Sequence, residues 1–542
     1  MIEFTYIISI ILMILLPVGL AAGLRRLSPA PWLLFGLGAL TFVLSQVVHL
    51  PLNEWLAELG WLPGEAVNDL PVWRVALTAG LTAGLCEELA RSAGYLLLSK
   101  IRPGWVNLPG SLMLGLGHGG IEAMVFGGVL TAATASALLP LRGVDLTTLG
   151  LPAEQLTALG TQLESLTGSP WQAFYPLMER ILAISAHLTL SLMVWKAFAR
   201  RNLRRDWFYI PLAILYHAAI DYVAVWATTT YAGQPLRYLL AALAILSPGW
   251  VWAAWTLRRG GMNRLQAGPL GGELGVFWVA TVKELRQAWR TRRVLVIWAV
   301  FLAFGMLSPL LARFTYEIVS SMEGAEMFAG LIPPPTIADA MTQYLKNLSQ
   351  FGFILAILLA MGAVVGEKER GVAPMILSKP MARWAFIASK FAAQFTVYLA
   401  GFLLAAIGAY YYTLFLFGPL EVGNFLLLNG LLLLWLLTFV ALSLLGSTLG
   451  KSTVAAGGIG LGLCVAQMLL GSIPRWGALL PGGLMGWATL LGQKAAGLSP
   501  GGDAASLLSG AAAGQGGAAA SALAIIVMSL VLAIGTFEQQ EI

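Results

Sequence analysis

Long apolar runs alternate with short polar breaks along the chain, and this pattern sets the fold class before any single residue is considered. A run of about 20 apolar residues can cross a bilayer as a helix, which satisfies every backbone polar group within the segment. Such runs lie near residues 5–24, 31–50, 73–98, 109–136, 173–195, 209–228 and 236–256. A second set lies near 294–318, 349–366, 386–414, 425–449, 453–473 and 519–536. The pattern predicts an all-α polytopic membrane protein with about 13 transmembrane helices, in a first domain over 1–256 and a second over 294–542. Between them, 257–293 opens as a Gly-rich linker and continues as an amphipathic helix. Trp278, Val282, Leu285 and Trp289 recur on one face, and Lys283, Arg286, Arg290 and Arg293 on another. A basic amphipathic helix of this kind lies in the cytoplasmic interface.

Composition agrees. Of 542 residues, 58% are hydrophobic and 11% charged, where soluble proteins carry about 25% charged residues. The two cysteines, Cys86 and Cys464, both fall in apolar runs and imply no disulfide framework. The net charge of +6 is an orientation signal and not a nucleic-acid footprint. Most of the 32 lysines and arginines fall on one side: Arg25 and Arg26, Lys100 and Arg102, the KAFARRNLRR cluster, 257–293, the 367–390 loop and Lys451. The positive-inside rule makes that side cytoplasmic, with the N-terminus outside and the C-terminus in the cytoplasm. The opening MIEFTYIISIILMILL lacks a basic n-region, so a retained first span is expected and not a cleaved signal peptide. Ala-, Gly- and Trp-rich usage suits a prokaryotic plasma membrane. The stretch GAAAGQGGAAASA around 510–522 reads as a small-residue loop or helix start outside the membrane.

Ionisable residues separate the halves. The third run carries Glu87, Glu88 and Arg91, the fourth His118 and Glu122, the fifth His187, and the sixth His217 and Asp221. Charge at membrane depth is costly and marks function by default. His118 and Glu122 share a helix face at a spacing of four, as do His217 and Asp221. Imidazoles and carboxylates from adjacent helices are what a zinc site with an open water position needs, with His118, His187, His217 and Glu122 as candidate ligands. A neighbouring carboxylate would serve as general base, and Asp221 would orient the His217 ring. The alternatives are a neutralised ion pair between Glu88 and Arg91 that only ties helices together, or a proton or metal-ion path. His49 sits at a helix end near the outer surface.

The succession GLCEELAR, GLGHGGIEA, ERILAISAH and YHAAID resembles the YhfC family of intramembrane peptidases, distant relatives of the CAAX-processing proteases. The resemblance covers about residues 1–256. It implies Glu87 as catalytic base, with Glu88 and Arg91 completing the acidic motif. It also implies His118 and His217 as metal-binding or transition-state-stabilising histidines, and Asp221 as the partner one turn on. Arg91 follows the glutamate pair after two residues, where the wider CAAX group usually has three.

The second half offers a polar loop, GEKERGVAPMILSKPMARWAFIASK. Together with the KELRQAWRTRR elbow and the LSLLGSTLGKSTVAAGGIGLGL helix–turn–helix, it resembles type-2 ABC transporter permeases over about 272–542. That resemblance implies a separate ABC ATPase as the only route to ATP, docking through Glu367, Glu369, Arg370, Gly371, Lys379, Pro380 and Arg383. It also implies a dimer of permease halves. GSTLGKST is not a phosphate-binding loop, because only Ser447, Thr448 and Leu449 separate Gly446 from Gly450, and no strand precedes it. The expected function is an intramembrane protease acting on a peptide or membrane protein, fused to an exporter permease. The alternative is transport alone, with the first half an inactive accessory.

Overall fold

The computed structural model describes residues 2–28, 30–64, 69–149, 152–199, 206–231, 234–259, 270–320, 335–473, 477–498 and 510–541. Among them there is no β-strand. The chain divides into two compact units, one of residues 1–132 and 152–268, the other of residues 133–151 and 269–542.

The first unit begins with α1 (Ile2–Leu27), α2 (Trp32–Glu58), α3 (Val72–Ile101) and α4 (Leu108–Glu122). A π-helical turn, Ala123–Val129, leads into α5 (Leu130–Leu138), of which the part after Ala132 groups with the second unit. Then come α6 (Ala153–Thr167), α7 (Tyr175–Ala199), α8 (Tyr209–Thr230) and α9 (Pro235–Arg259). Glycines set how closely these helices approach. A Cβ on Gly80 or Gly84 of α3 would lie 2.5 or 2.6 Å from a carbonyl oxygen of α8. One on Gly117 of α4 would lie 1.9 Å from the Phe35 carbonyl oxygen of α2. Small residues that let backbones approach closely are a main route to helix association in membranes.

The second unit contains the elbow α10 (Leu270–Arg290), α11 (Arg293–Ser320), α12 (Ile337–Ala360), the short α13 (Val365–Glu369) and α14 (Val372–Leu377), and α15 (Arg383–Phe417). It ends with α16 (Val422–Leu449), α17 (Thr453–Leu470), α18 (Gly483–Ala495) and α19 (Gly510–Glu538). Leu-rich α16 is the most buried and packs against α12, α17, α18 and α19. Gly450 and Ser452 form the turn from α16 to α17, and Ser452 caps α17 by accepting from the Ala455 N–H. GSTLGKST is therefore a helix–turn–helix corner, as its sequence context predicts. Small residues around 510–522 form the first turns of α19. Cys86 and Cys464 are both free thiols.

Twelve helices among the described residues are long and apolar enough to cross a membrane. The one expected span outside this set is α3. It is 30 residues long, but Glu87, Glu88 and Arg91 interrupt its apolar composition. Two amphipathic helices, α6 and α18, lie outside the predicted spans because, at 15 and 13 residues, they are too short to cross a bilayer.

Candidate active site

Four helices bring the polar residues of the first unit to one place. Glu87, Glu88 and Arg91 of α3 are all buried, as are His118 of α4, His187 of α7 and His217 of α8. The rings of His118 and His187 are 4.9 Å apart, and those of His187 and His217 are 5.4 Å apart.

Glu87 stands between the histidines. One carboxyl oxygen lies 3.1 Å from Nε2 of His118 and 3.9 Å from Nε2 of His217. The other accepts from the side-chain amide of Gln46 on α2 at 3.2 Å. The far side of His118 meets Thr41, also on α2, at 2.9 Å from Nδ1. Because Thr41 donates its own proton to the Gly38 carbonyl at 2.7 Å, His118 Nδ1 carries the proton in that contact. His118 Nε2 and Glu87 then share one further proton between them.

His217 is held differently. Its Nδ1 lies 2.8 Å from Glu88 Oε1, so Nδ1–H donates to the carboxylate and Nε2 faces Glu87. Arg91 is 3.3 Å from the same Glu88 oxygen and completes the charge balance. Asp221, expected to orient this ring, stands on its other side, with Oδ2 3.6 Å from Nε2. Glu88 takes the orienting position because α3 packs directly against α8 and delivers a carboxylate to Nδ1.

Arg91 also fixes His187. It donates to Nδ1 at 2.8 Å and to the His187 backbone carbonyl at 2.9 Å. Because an arginine can only donate, the His187 proton resides on Nε2, where Glu122 accepts it. Glu122, one of the expected ligands, is thus tied between His187 and Arg180, whose Nη1 donates to it at 2.8 Å. Arg180 also bonds to Glu179 at 2.6 Å. A Cβ on Gly127, in the π-helical turn, would come within 2.6 Å of the Arg180 side chain, so this turn leaves room for the arginine. Turns of this type occur frequently at functional sites.

A cavity of about 120 Å3 opens onto these groups. Glu87, Glu122, Glu179, Arg180, His187, His217 and Asp221 form its polar side, and aliphatic side chains such as Leu182, Ile220 and Leu246 form the rest. It has room for several waters. The ligand atoms of Glu87, His187 and His217 lie within 4.8 Å of one another. Two imidazoles and a carboxylate match the donor set of hydrolytic zinc sites that keep one position open, and the Glu88–His217 contact is the outer-shell bond such ligands need. His118 touches this group through Glu87, and His49 bonds instead to Thr82 and Asn53. The sequence pattern did not single out Thr41, Gln46 or Arg180. Polar residues on α2 and α7 at the depth of the histidines were the available signal.

In the second unit the expected ATPase-coupling residues separate into two groups. Glu367 is buried and pairs with Lys283 of α10 at 2.7 Å and Lys390 of α15 at 2.9 Å. Glu369 accepts from the N–H and hydroxyl of Thr453 at 3.1 and 2.6 Å. Arg383 donates to the carbonyls of Phe537, Glu538 and Gln540 at the end of α19, where a cation is favoured. Arg370, Gly371, Lys379 and Pro380 are exposed. Gly371, at φ +68°, makes the turn between α13 and α14.

Residues 12–240 match the family model described as YhfC intramembrane metalloprotease, and residues 278–542 match that of the ABC-2 family transporter protein. The chain is 28% identical over 241 residues to the uncharacterized membrane protein YhfC of Bacillus subtilis (strain 168), covering 44% of this chain and 90% of that one. It is 28% identical over 187 residues to the uncharacterized transmembrane protein YxlG of the same organism, covering 34% of this chain and 72% of that one. No solved structure matches the chain. The first match implies a metal, for which the cluster above provides donors, and the second implies a partner ATPase. The chain is thus a fusion, a YhfC-type intramembrane metalloprotease domain followed by an ABC-2 family transporter domain, in one multi-pass membrane protein.

Proposed function

We propose that residues 1–256 hydrolyse peptide bonds within the membrane, that 294–542 form one half of an exporter, and that 257–293 join the two. The observation that carries the hydrolytic reading is the position of Glu87. Its carboxyl is buried, borders the cavity, and faces Nε2 of both His118 and His217.

Zinc on Glu87, His187 and His217 would polarise the scissile carbonyl and activate water at neutral pH, with His187 giving up to Glu122 the Nε2 proton that they share. Glu88 keeps the His217 lone pair pointed inward, and Arg91 holds the His187 ring in place. Asp221, on the wall of the cavity and 3.6 Å from His217 Nε2, is placed to take the proton of the attacking water and return it to the leaving amine. The aliphatic wall favours a peptide or membrane-protein segment over a soluble substrate.

A specific observation favours a second reading, a metal-free glutamate peptidase. Both nitrogens of His118 and of His187 already have protein partners. In that case Glu87 is the base and His118 shares its proton.

The transporter half would dimerise, draw on a separate ATPase that docks at the exposed Arg370, Gly371, Lys379 and Pro380, and reside in a prokaryotic plasma membrane with the N-terminus outside. Elemental mass spectrometry on the purified chain, beside cleavage of a transmembrane peptide, tests the protease reading. Near-stoichiometric zinc lost in His217→Ala and in Glu87→Gln supports the metal site. Zinc kept by Glu87→Gln with cleavage lost makes Glu87 the base. No cleavage by the wild type under any metal condition overturns hydrolysis.

A further inference from the structure

A cavity of about 70 Å3 lies where α10, α11, α12 and α15 meet, far along the sequence from the histidine cluster. Lys390, Gln394 and Tyr398 sit on successive turns of one face of α15 and all line it. Lys390 Nζ is accounted for by Glu284 and Glu367, each at 2.9 Å. The other two polar groups are not. Tyr398 is 0% exposed, and neither its hydroxyl nor Oε1 of Gln394 has a hydrogen-bond partner among the described residues. Buried donors and acceptors in that condition are costly and need a partner. One turn apart, an O–H donor and a carbonyl acceptor are both satisfied by a single hydroxyl, which accepts from one and donates to the other.

The mouth of the cavity is cationic. Arg293 and Arg370 line it, both are exposed, and neither forms an ion pair among the described residues. With Lys390 they outnumber the two lining carboxylates, Glu284 and Glu367, and Lys283 balances those carboxylates further. The turn from α10 to α11 is strained at the same place. Arg292 adopts φ +59°, a left-handed conformation that non-glycine residues avoid, and leads directly into Arg293. Trp278, Val279, Val282 and Trp289 of α10 are all exposed, as expected for a helix lying against acyl chains.

We infer that this cavity binds the phosphoglycerol headgroup of an anionic membrane lipid. The phosphate lies against Arg293 and Arg370, and a headgroup hydroxyl bridges Tyr398 and Gln394. About 70 Å3 accommodates roughly five water-sized groups, which suits a headgroup and excludes a larger solute. The occupied site would join the elbow helix to α15 and to the segment carrying Arg370.

Native mass spectrometry of the full chain, with phosphatidylglycerol or phosphatidylcholine supplied in the detergent micelle, tests this. The expected result is retention of phosphatidylglycerol at least roughly tenfold over phosphatidylcholine, in line with two arginines at an anionic lipid surface. Arg293→Gln, at an exposed position, should lose most of that preference, and Tyr398→Phe should weaken it further. Equal retention of both lipids, or unchanged preference in both variants, overturns the proposal. Free glycerol phosphate displacing the lipid at equal concentration overturns the membrane source and leaves a soluble phosphate as the ligand.

Discussion

Nδ1 of His217 lies 2.8 Å from Oε1 of Glu88, with Arg91 3.3 Å beyond on the same oxygen. This chain of three buried groups explains why adjacent glutamates in α3 differ in role. Glu87 faces the cavity and Glu88 faces a histidine. One consequence is that Glu88→Gln should weaken metal binding by about 10- to 100-fold, the usual loss when an outer-shell partner is removed, and should also destabilise the fold by leaving Arg91 buried without its anion. Competition with a chelator of known affinity measures it, and unchanged affinity would show that the Glu88 contact does not position the ring.

Glu87→Gln should abolish peptide cleavage under either proposed mechanism, by about 100- to 10,000-fold if it acts in proton transfer. Circular dichroism should be unaltered, because the amide fills the same volume. A variant that still cleaves at more than a tenth of the wild-type rate would remove Glu87 from the chemistry.

Arg91→Met should be severely destabilising. It leaves Glu88 buried without its cation and frees His187 Nδ1, and breaking one side of a buried pair costs about 3–5 kcal/mol. The thermal unfolding midpoint in detergent should fall by many degrees. A midpoint within about one degree of wild type would mean the pair contributes little.

Gly84→Leu tests whether helix approach builds the site. A Cβ there would be 2.6 Å from the Ile214 carbonyl oxygen, so α3 must withdraw from α8 and separate Glu88 from His217. Loss of metal with retained helicity is the expected outcome. Metal binding at wild-type affinity would show that the two helices tolerate the shift.

The elbow helix should loosen in alkali. Burial works against the Lys283 ammonium, but Glu284 and Glu367 beside it more than offset this and raise its pKa above the usual lysine value. A raised pKa means the contact stabilises the folded state fully below the ordinary lysine range and is lost as pH climbs through the folded-state value. Proteolysis within the elbow helix, Leu270–Arg290, should therefore accelerate above about pH 10.5, and Lys283→Met should be sensitive at neutral pH.

The class of protein was legible in the sequence, and so were most of the ionisable residues that the fold gathers in the first unit. A run of about 20 apolar residues has few stable states other than a membrane helix, so the spans and the two halves could be read from the pattern. The same argument singled out Glu87, Glu88, Arg91, His118, Glu122, His187, His217 and Asp221, because charge at that depth needs a reason. Spacing of four correctly put His217 and Asp221 on one face, but it could not say which helix would meet the other side of the ring. Packing between helices settled it. The approach of α3 to α8 at Gly80 and Gly84 gave His217 to Glu88. The approach of α2 to α4 at Gly38 and Gly117 placed Thr41 beside His118. Arg180 took Glu122, and Lys390, in the 367–390 loop segment at the start of the expected 386–414 span, became the buried partner of Glu367 and Glu284. Helical periodicity fixes which residues share a face of one helix. The rotation and depth of its neighbours come from packing between segments far apart in the chain, and no local pattern encodes them.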